Sequence, residues 1–263
     1  MSATCVLSAG QFASNSHCKG GPMDYPFAFP LPPSEIAKKR SQILSELLMT
    51  DPGFASIPVH TIRKGTLEIL RARVDHLFLN DFLQSAYPAM KVTVSNRMTS
   101  AAGKFIHSKR MPRKPDPLAE IRMSGDFLFR LPAGEYRVNG LVTSSPQEAF
   151  VVVFEHEAVH AVEYALYGAT GHSKRFLHLA GGLFGHTNIH HELPTRAQES
   201  AKSGIRPGTA VSFPYQGKSL TGMVQRIGKT ATVMVPDSRG HYIDTRGRRY
   251  SKFRVSLKYL TPL

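Results

Sequence analysis

The chain has 263 residues, 41% of them hydrophobic, which is enough for one substantial core plus a small second module. It carries 33 Lys and Arg against 19 Asp and Glu, a formal net charge of +14 that suits a polyanionic partner. Its two cysteines, Cys5 and Cys18, are too few for a disulfide framework or a zinc ribbon and point to a reducing, cytoplasmic compartment. No run approaches transmembrane length, so a membrane is not among the expected partners.

Residues 1–33, rich in Ser, Gly and Pro, lack periodicity and predict a flexible segment. A basic start followed by a sustained apolar region is missing, so no secretory signal is expected. Residues 34–50 predict an amphipathic helix with Ile36, Ile43, Leu44, Leu47 and Leu48 on its apolar side. A longer helix is expected over 61–86, through Leu70, Val74, Leu77, Phe78 and Phe82, stopping before Pro88. KVTVS (91–95) alternates as a strand, and KFIHS (104–108) is expected to pair with it. MPRKPDP (111–117) reads as a basic, proline-broken loop.

Ser145-Pro146-Gln147-Glu148 opens the next helix. Ser145 can cap the free amides, Pro146 sits where its missing N–H is harmless, and Glu148 can close a capping box. The apolar pattern runs to Leu166 and Tyr167, and Gly168 offers a stop, so a helix about 33 Å long is predicted over 146–167. Its start is apolar on nearly all sides, which places it centrally in the domain. Yet Glu155, His156, Glu157, His160 and Glu163 interrupt it, and buried charges need partners.

His156-Glu157-Ala158-Val159-His160 accounts for three of them. Residues four apart share a helix face, so both imidazoles can point at one ion. Glu157, rotated by about 100°, can reach that ion's water without being a ligand. This is the geometry of a catalytic zinc helix with a glutamate general base. Such a site needs a third protein ligand. The metzincin positions are occupied by Glu163 and Leu166, which excludes that class. Glu163 could touch the ion's surroundings, although a role behind the ligands or on the surface fits it better. The stronger candidate is His172, beyond a turn at Gly168 and Gly171, opening a second helix that ends near Gly181-Gly182. His178, His186, His190 and His191 read as surface or capping histidines.

HEAVHAVEY followed by GHSKRFLHLA resembles the SprT-like zinc metalloproteases, a family that includes the DNA–protein crosslink protease Spartan. Ser173 replaces the second glycine of the family's Gly-His-Gly segment and leaves the histidine in place. Arg97 to Gly103 and Ile121-Arg122-Met123-Ser124 also look like the two strand motifs that precede the family's zinc helix. The resemblance covers roughly residues 60–195. It implies Zn²⁺ held by His156, His160 and His172, with Glu157 as the general acid/base, acting on protein substrates.

The polar stretch 197–203 reads as a linker. Beyond it, alternating residues with glycines at 208, 217, 222 and 228 predict four or five short strands of an SH3-like or KOW-like barrel. Eleven Lys and Arg stand against two acidic residues from Gly204 onward, a net of +9. Arg246, Arg248, Arg249, Lys252 and Arg254, interleaved with Tyr250 and Phe253, suit a phosphate backbone and stacked bases, single-stranded DNA above all.

The expected architecture is α+β. A flexible segment (1–33) leads into a zincin-like SprT domain (34–196), with a small sheet beside the HExxH helix. A linker (197–203) then joins it to a basic all-β module (204–263). The expected function is a zinc endopeptidase acting on nucleic-acid-associated proteins. Two competing readings are a metal-stabilised scaffold without turnover and a zinc protease unrelated to DNA. Glu157 favours an enzyme, because a purely structural zinc needs no base there.

Overall fold

A computed structural model describes residues 24–108, 119–194, 196–202 and 204–263. Cys5, Cys18 and the loop 111–117 lie outside the described residues. The end of the segment expected to be flexible is packed instead. Phe27 and Leu31 join the core, and the Tyr25 ring lies 5.5 Å from Phe27 and 4.6 Å from Phe29. Three aromatics at alternate positions carry no helical period, but they bury enough apolar area to order an extended chain.

Helix α1 (Pro33–Thr50) turns Ile36, Ile43 and Leu47 inward, as its periodicity predicts. The single turn α2 (Pro52–Ala55) is capped by the buried Asp51. In place of one helix over 61–86 there are two, α3 (Lys64–Leu79) and α4 (Phe82–Ala86). Asn80 and Asp81, both with positive φ, break the path between them. The Asp75 carboxylate accepts from the Leu83 and Gln84 amides at 2.7 Å, so a side chain takes over from helical carbonyls. The hydrophobic period runs on through this break and does not reveal it.

Strands β1 (Lys91–Ser95), β2 (Gly103–Ile106) and β3 (Glu120–Ser124) form a sheet in the order β1-β3-β2. β1 and β2 therefore do not pair with each other, contrary to expectation. β3 lies between them, parallel to β1 and antiparallel to β2. It takes the centre because its Ile121 and Met123 are fully buried, whereas β1 stays partly exposed along its length. A short helix α5 (Gly125–Leu128) follows, then the hairpin β4 (Tyr136–Val138) and β5 (Leu141–Thr143). Asn139 and Gly140, both with positive φ, make its two-residue turn.

Helix α6 (Pro146–Tyr167) has the predicted bounds. The Ser145 hydroxyl accepts from the Glu148 amide, while the Glu148 carboxylate reaches Ser144 rather than the cap itself. Gly168 adopts φ 70° and closes the helix in the left-handed region. α6 packs against β2, β3, β4, α1 and helix α7 (Lys174–Phe184). α7 runs past Gly181-Gly182 to Gly185, because Leu183 and Phe184 are fully buried and hold the last turn in place.

The stretch read as a linker is a helix, α8 (Arg196–Lys202). Arg196 forms a forked pair with Asp126, and Glu199 pairs with Arg130, so charges tie α8 to α5 and its surroundings. The remaining strands are β6 (Ala210–Tyr215), β7 (Lys218–Ile227), β8 (Ala231–Pro236), β9 (Tyr242–Ile243), β10 (Arg249–Val255) and β11 (Thr261–Pro262). They form one sheet in the order β11-β6-β7-β8-β10-β9 around its own apolar cluster, with Val211, Val224, Ala231 and Val233 almost fully buried. The chain thus combines a mixed helix-and-sheet part with a C-terminal all-β sheet. Among the described residues, no helix is long and apolar enough to cross a membrane.

Candidate metal centre

Each polar side chain that interrupts α6 meets a specific group. Glu155, fully buried, takes a forked bond from Arg40 of α1 at 2.9 and 2.7 Å and lies 3.1 Å from His186. Burial alone would raise its pKa; Arg40 and His186 outweigh that and hold the carboxyl below its ordinary range. His186 is therefore a core residue rather than the surface group the sequence suggested. Glu163 is buried against the loop 170–175.

His156 and His160 lie one turn apart on α6, and His172 arrives on the loop between α6 and α7. The His156 and His160 Nε2 atoms lie 3.0 and 3.2 Å from His172 Nε2. Among the described residues this is the one group of metal-ligand type whose donor atoms all fall within 4.8 Å of one another. Tetrahedral coordination at 2.0–2.1 Å requires ligand nitrogens about 3.3 Å apart, close to what is seen. The Phe176 ring backs all three imidazoles, with centroids 4.4–5.1 Å away.

Electrostatics supports the same fit. Burial, then the neighbouring histidines, pushes the His156 pKa down to about 2. Burial and His172 push His160 down to about 4. The His172 pKa is lowered too, by burial first and then by His190. Three neutral imidazoles converging on one point are a donor set that could hold a divalent metal ion.

Glu157 reaches β2 and lines the same cleft as the three histidines. Its Oε2 accepts from the Phe105 amide at 2.7 Å. A Cβ on Gly103 would lie 2.6 Å from Oε1 and 2.7 Å from Cγ, so only glycine lets this strand pass so close to the carboxylate. Burial pushes the Glu157 pKa up to about 7, against the opposing pull of the Phe105 amide and Lys104.

These groups open into a cleft of about 480 Å³, lined also by residues 100–105 and by Ile189, His190 and His191. His190 and His191 thus line the cleft; His190 is exposed, as its sequence context suggests, whereas His191 is half-buried. The Asn139-Gly140 turn holds them there, since Asn139 bonds the backbones of Thr187, Asn188 and His190. The Asn-Gly pair between Val138 and Leu141 was the sequence signal for that hairpin. Nothing in the sequence tied the turn to the cleft.

The basic residues of the C-terminal sheet are only partly gathered. β10 alternation puts Tyr250, Lys252 and Arg254 on one face, with the Lys252 ammonium 4.9 Å from the Tyr242 ring centroid. Arg248 pairs with Asp244 at 2.8 Å, and Asp244 also accepts from the Arg246 amide and the Tyr250 hydroxyl. Arg249 donates to the Gly240 carbonyl. Phe253, expected as a stacking surface, instead packs on the apolar cluster beside Phe213 and Tyr215.

Comparison with curated proteins finds no match. Residues 67–192, which carry the three histidines, Glu157, the small sheet and the cleft, match the SprT-like family model. Across this stretch, just under half of the chain, the protein is similar to the SprT-like family, whose domain is of the zincin-like metalloprotease type.

Proposed function

We propose that the protein is a zinc-dependent endopeptidase in which His156, His160 and His172 hold the metal and Glu157 is the general base. The observation that carries this reading is the convergence of three neutral imidazoles on a cleft that also contains a carboxylate with a pKa near 7. Zinc in such a site supplies Lewis acidity, polarising a peptide carbonyl and acidifying a water. Glu157 takes the proton of the attacking water and returns it to the leaving amine; a pKa near neutrality suits both transfers. The Phe105 amide keeps the carboxylate oriented, and the walls of the cleft exclude bulk water from one side.

The proposed substrates are proteins associated with nucleic acid, single-stranded DNA in particular. Support comes from the net +9 of residues 204–263 and from Tyr250, Lys252 and Arg254 sharing a strand face. We read this sheet as an SH3-like or KOW-like module. The decisive test incubates the purified chain with casein and with a DNA-crosslinked protein, with and without DNA and chelator. Glu157→Gln should retain zinc and lose cleavage by roughly 10² to 10⁴-fold. Unchanged cleavage by that variant would remove Glu157 from the mechanism. A wild-type chain that binds zinc and cleaves neither substrate would favour the scaffold reading.

A further inference from the structure

Glu163 lies one turn beyond His160 and is fully buried, yet it is outside the histidine cluster. Four donors fill its two oxygens. Oε2 accepts from the Thr170 hydroxyl at 2.9 Å and the Gly171 amide at 3.0 Å; Oε1 accepts from Arg175 Nε at 2.9 Å and the Ser173 hydroxyl at 3.3 Å. The amide and the guanidinium can only donate, so the carboxylate is held as an ionised acceptor. With these bonds in place it has little capacity left to ligate a metal directly.

The Thr170 oxygen has a second neighbour, His160 Nδ1, at 2.8 Å. A hydroxyl has one proton, and here it is committed to Glu163. Toward His160 the oxygen can therefore only accept, which requires the proton on Nδ1 and leaves the lone pair on Nε2. Nε2 is the atom that faces His172. The same carboxylate also pins the loop on both sides of His172, through Gly171 and Ser173. His156 differs, since its buried Nδ1 has no hydrogen-bond partner among the described residues.

We infer that Glu163 and Thr170 are positioning residues for the metal centre: the Glu163–Thr170–His160 chain selects the tautomer that ligates through Nε2, and Glu163 fixes the loop that delivers His172. The inference rests on the metal-centre reading above. It assigns a role to a buried acid that the catalytic scheme leaves unused.

Two measurements on the full chain test it. The first is the His160 tautomer in the metal-free protein, by long-range ¹⁵N–¹H correlation. The second is zinc affinity, by competition with a chromophoric chelator. Wild type should show the Nδ1–H form. Thr170→Val, close in shape and leaving Glu163 its bonds from Gly171, Ser173 and Arg175, should lose that bias and weaken zinc 10- to 100-fold. Thr170→Ser restores the hydroxyl and should keep both properties. Thr170→Val with wild-type tautomer and wild-type zinc affinity would overturn the inference. If the wild-type chain bound no zinc, the metal reading would fall while the tautomer still decided this one: His160 found in the Nε2–H form would refute it.

Discussion

At the scale of single residues, the site depends on groups outside the histidine cluster. Gly103 is the clearest case, because an added methyl would displace the Glu157 carboxylate from the strand. Gly103→Ala should therefore retain zinc and lower kcat/KM by about 10²-fold, the size expected for displacing a reacting group by about 1 Å. Zinc content and peptide hydrolysis, measured on the same sample, check this; loss of both together would mean the methyl disturbs the fold rather than the base. Asp51 makes a separate prediction about stability. Burial opposes ionisation of its carboxyl, but donors from Arg63, Thr66, Phe54 and Gly53 prevail and hold its pKa below the ordinary 3.8. The folded state thus binds this proton more weakly than the unfolded one. The stabilisation is complete above the ordinary value and disappears as pH falls through the depressed one. Asp51→Ala should cost about 2–4 kcal/mol in urea denaturation at neutral pH, and the gap to wild type should narrow from about pH 5 downward. A gap that stays constant into strong acid would disprove the account.

At the scale of elements, the helix carrying the histidines is anchored by charge as well as by apolar packing. Arg40 ties α1 to α6 through Glu155 and also donates to the Phe184 carbonyl at the end of α7. Three helices thus meet at one guanidinium, one residue before His156. Arg40→Met would leave Glu155 buried with only His186 beside it and should destabilise the fold by about 3–5 kcal/mol. Adding Glu155→Gln should recover much of that loss, because the neutral amide tolerates burial. A double variant as unstable as the single one would show that Arg40 acts through packing alone. The break between α3 and α4 follows the same logic, since the buried Asp75 carboxylate serves amides that a continuous helix would have satisfied internally.

At the scale of the whole molecule, the positive charge is unevenly available. Arg248 is paired with Asp244, whereas Lys252 and Arg254 are exposed on a face shared with Tyr250 and, through the β9–β10 ladder, Tyr242. If about four phosphates are neutralised, log affinity for duplex DNA should fall against log salt with a slope of about −3 to −4. Lys252→Gln with Arg254→Gln should flatten the slope by about two contacts, while Arg248→Gln should change it less. Fluorescence anisotropy of the full chain with labelled single-stranded and duplex oligonucleotides reads both. No binding even at low salt would end the nucleic-acid reading and point to an acidic protein partner.

Local chemistry alone determined much of this protein. The caps at Ser145 and Gly168, the four-residue spacing of His156 and His160, and the placement of His172 after a glycine turn were all legible, because capping, helical period and ligand spacing act over a few residues. What the sequence concealed involves partners distant in the chain. That β3 would separate β1 from β2 depends on which strand buries most on both faces. That Glu155 would meet Arg40 and His186, and that Gly103 would lie against Glu157, depends on elements more than 30 residues apart along the chain coming into contact. The aromatic segment 25–29 and α8 look like tail and linker by composition, and only a surface to pack on gives them structure. Periodicity reports which face of an element is apolar; only the assembled core decides what that face, and every polar group beside it, will touch.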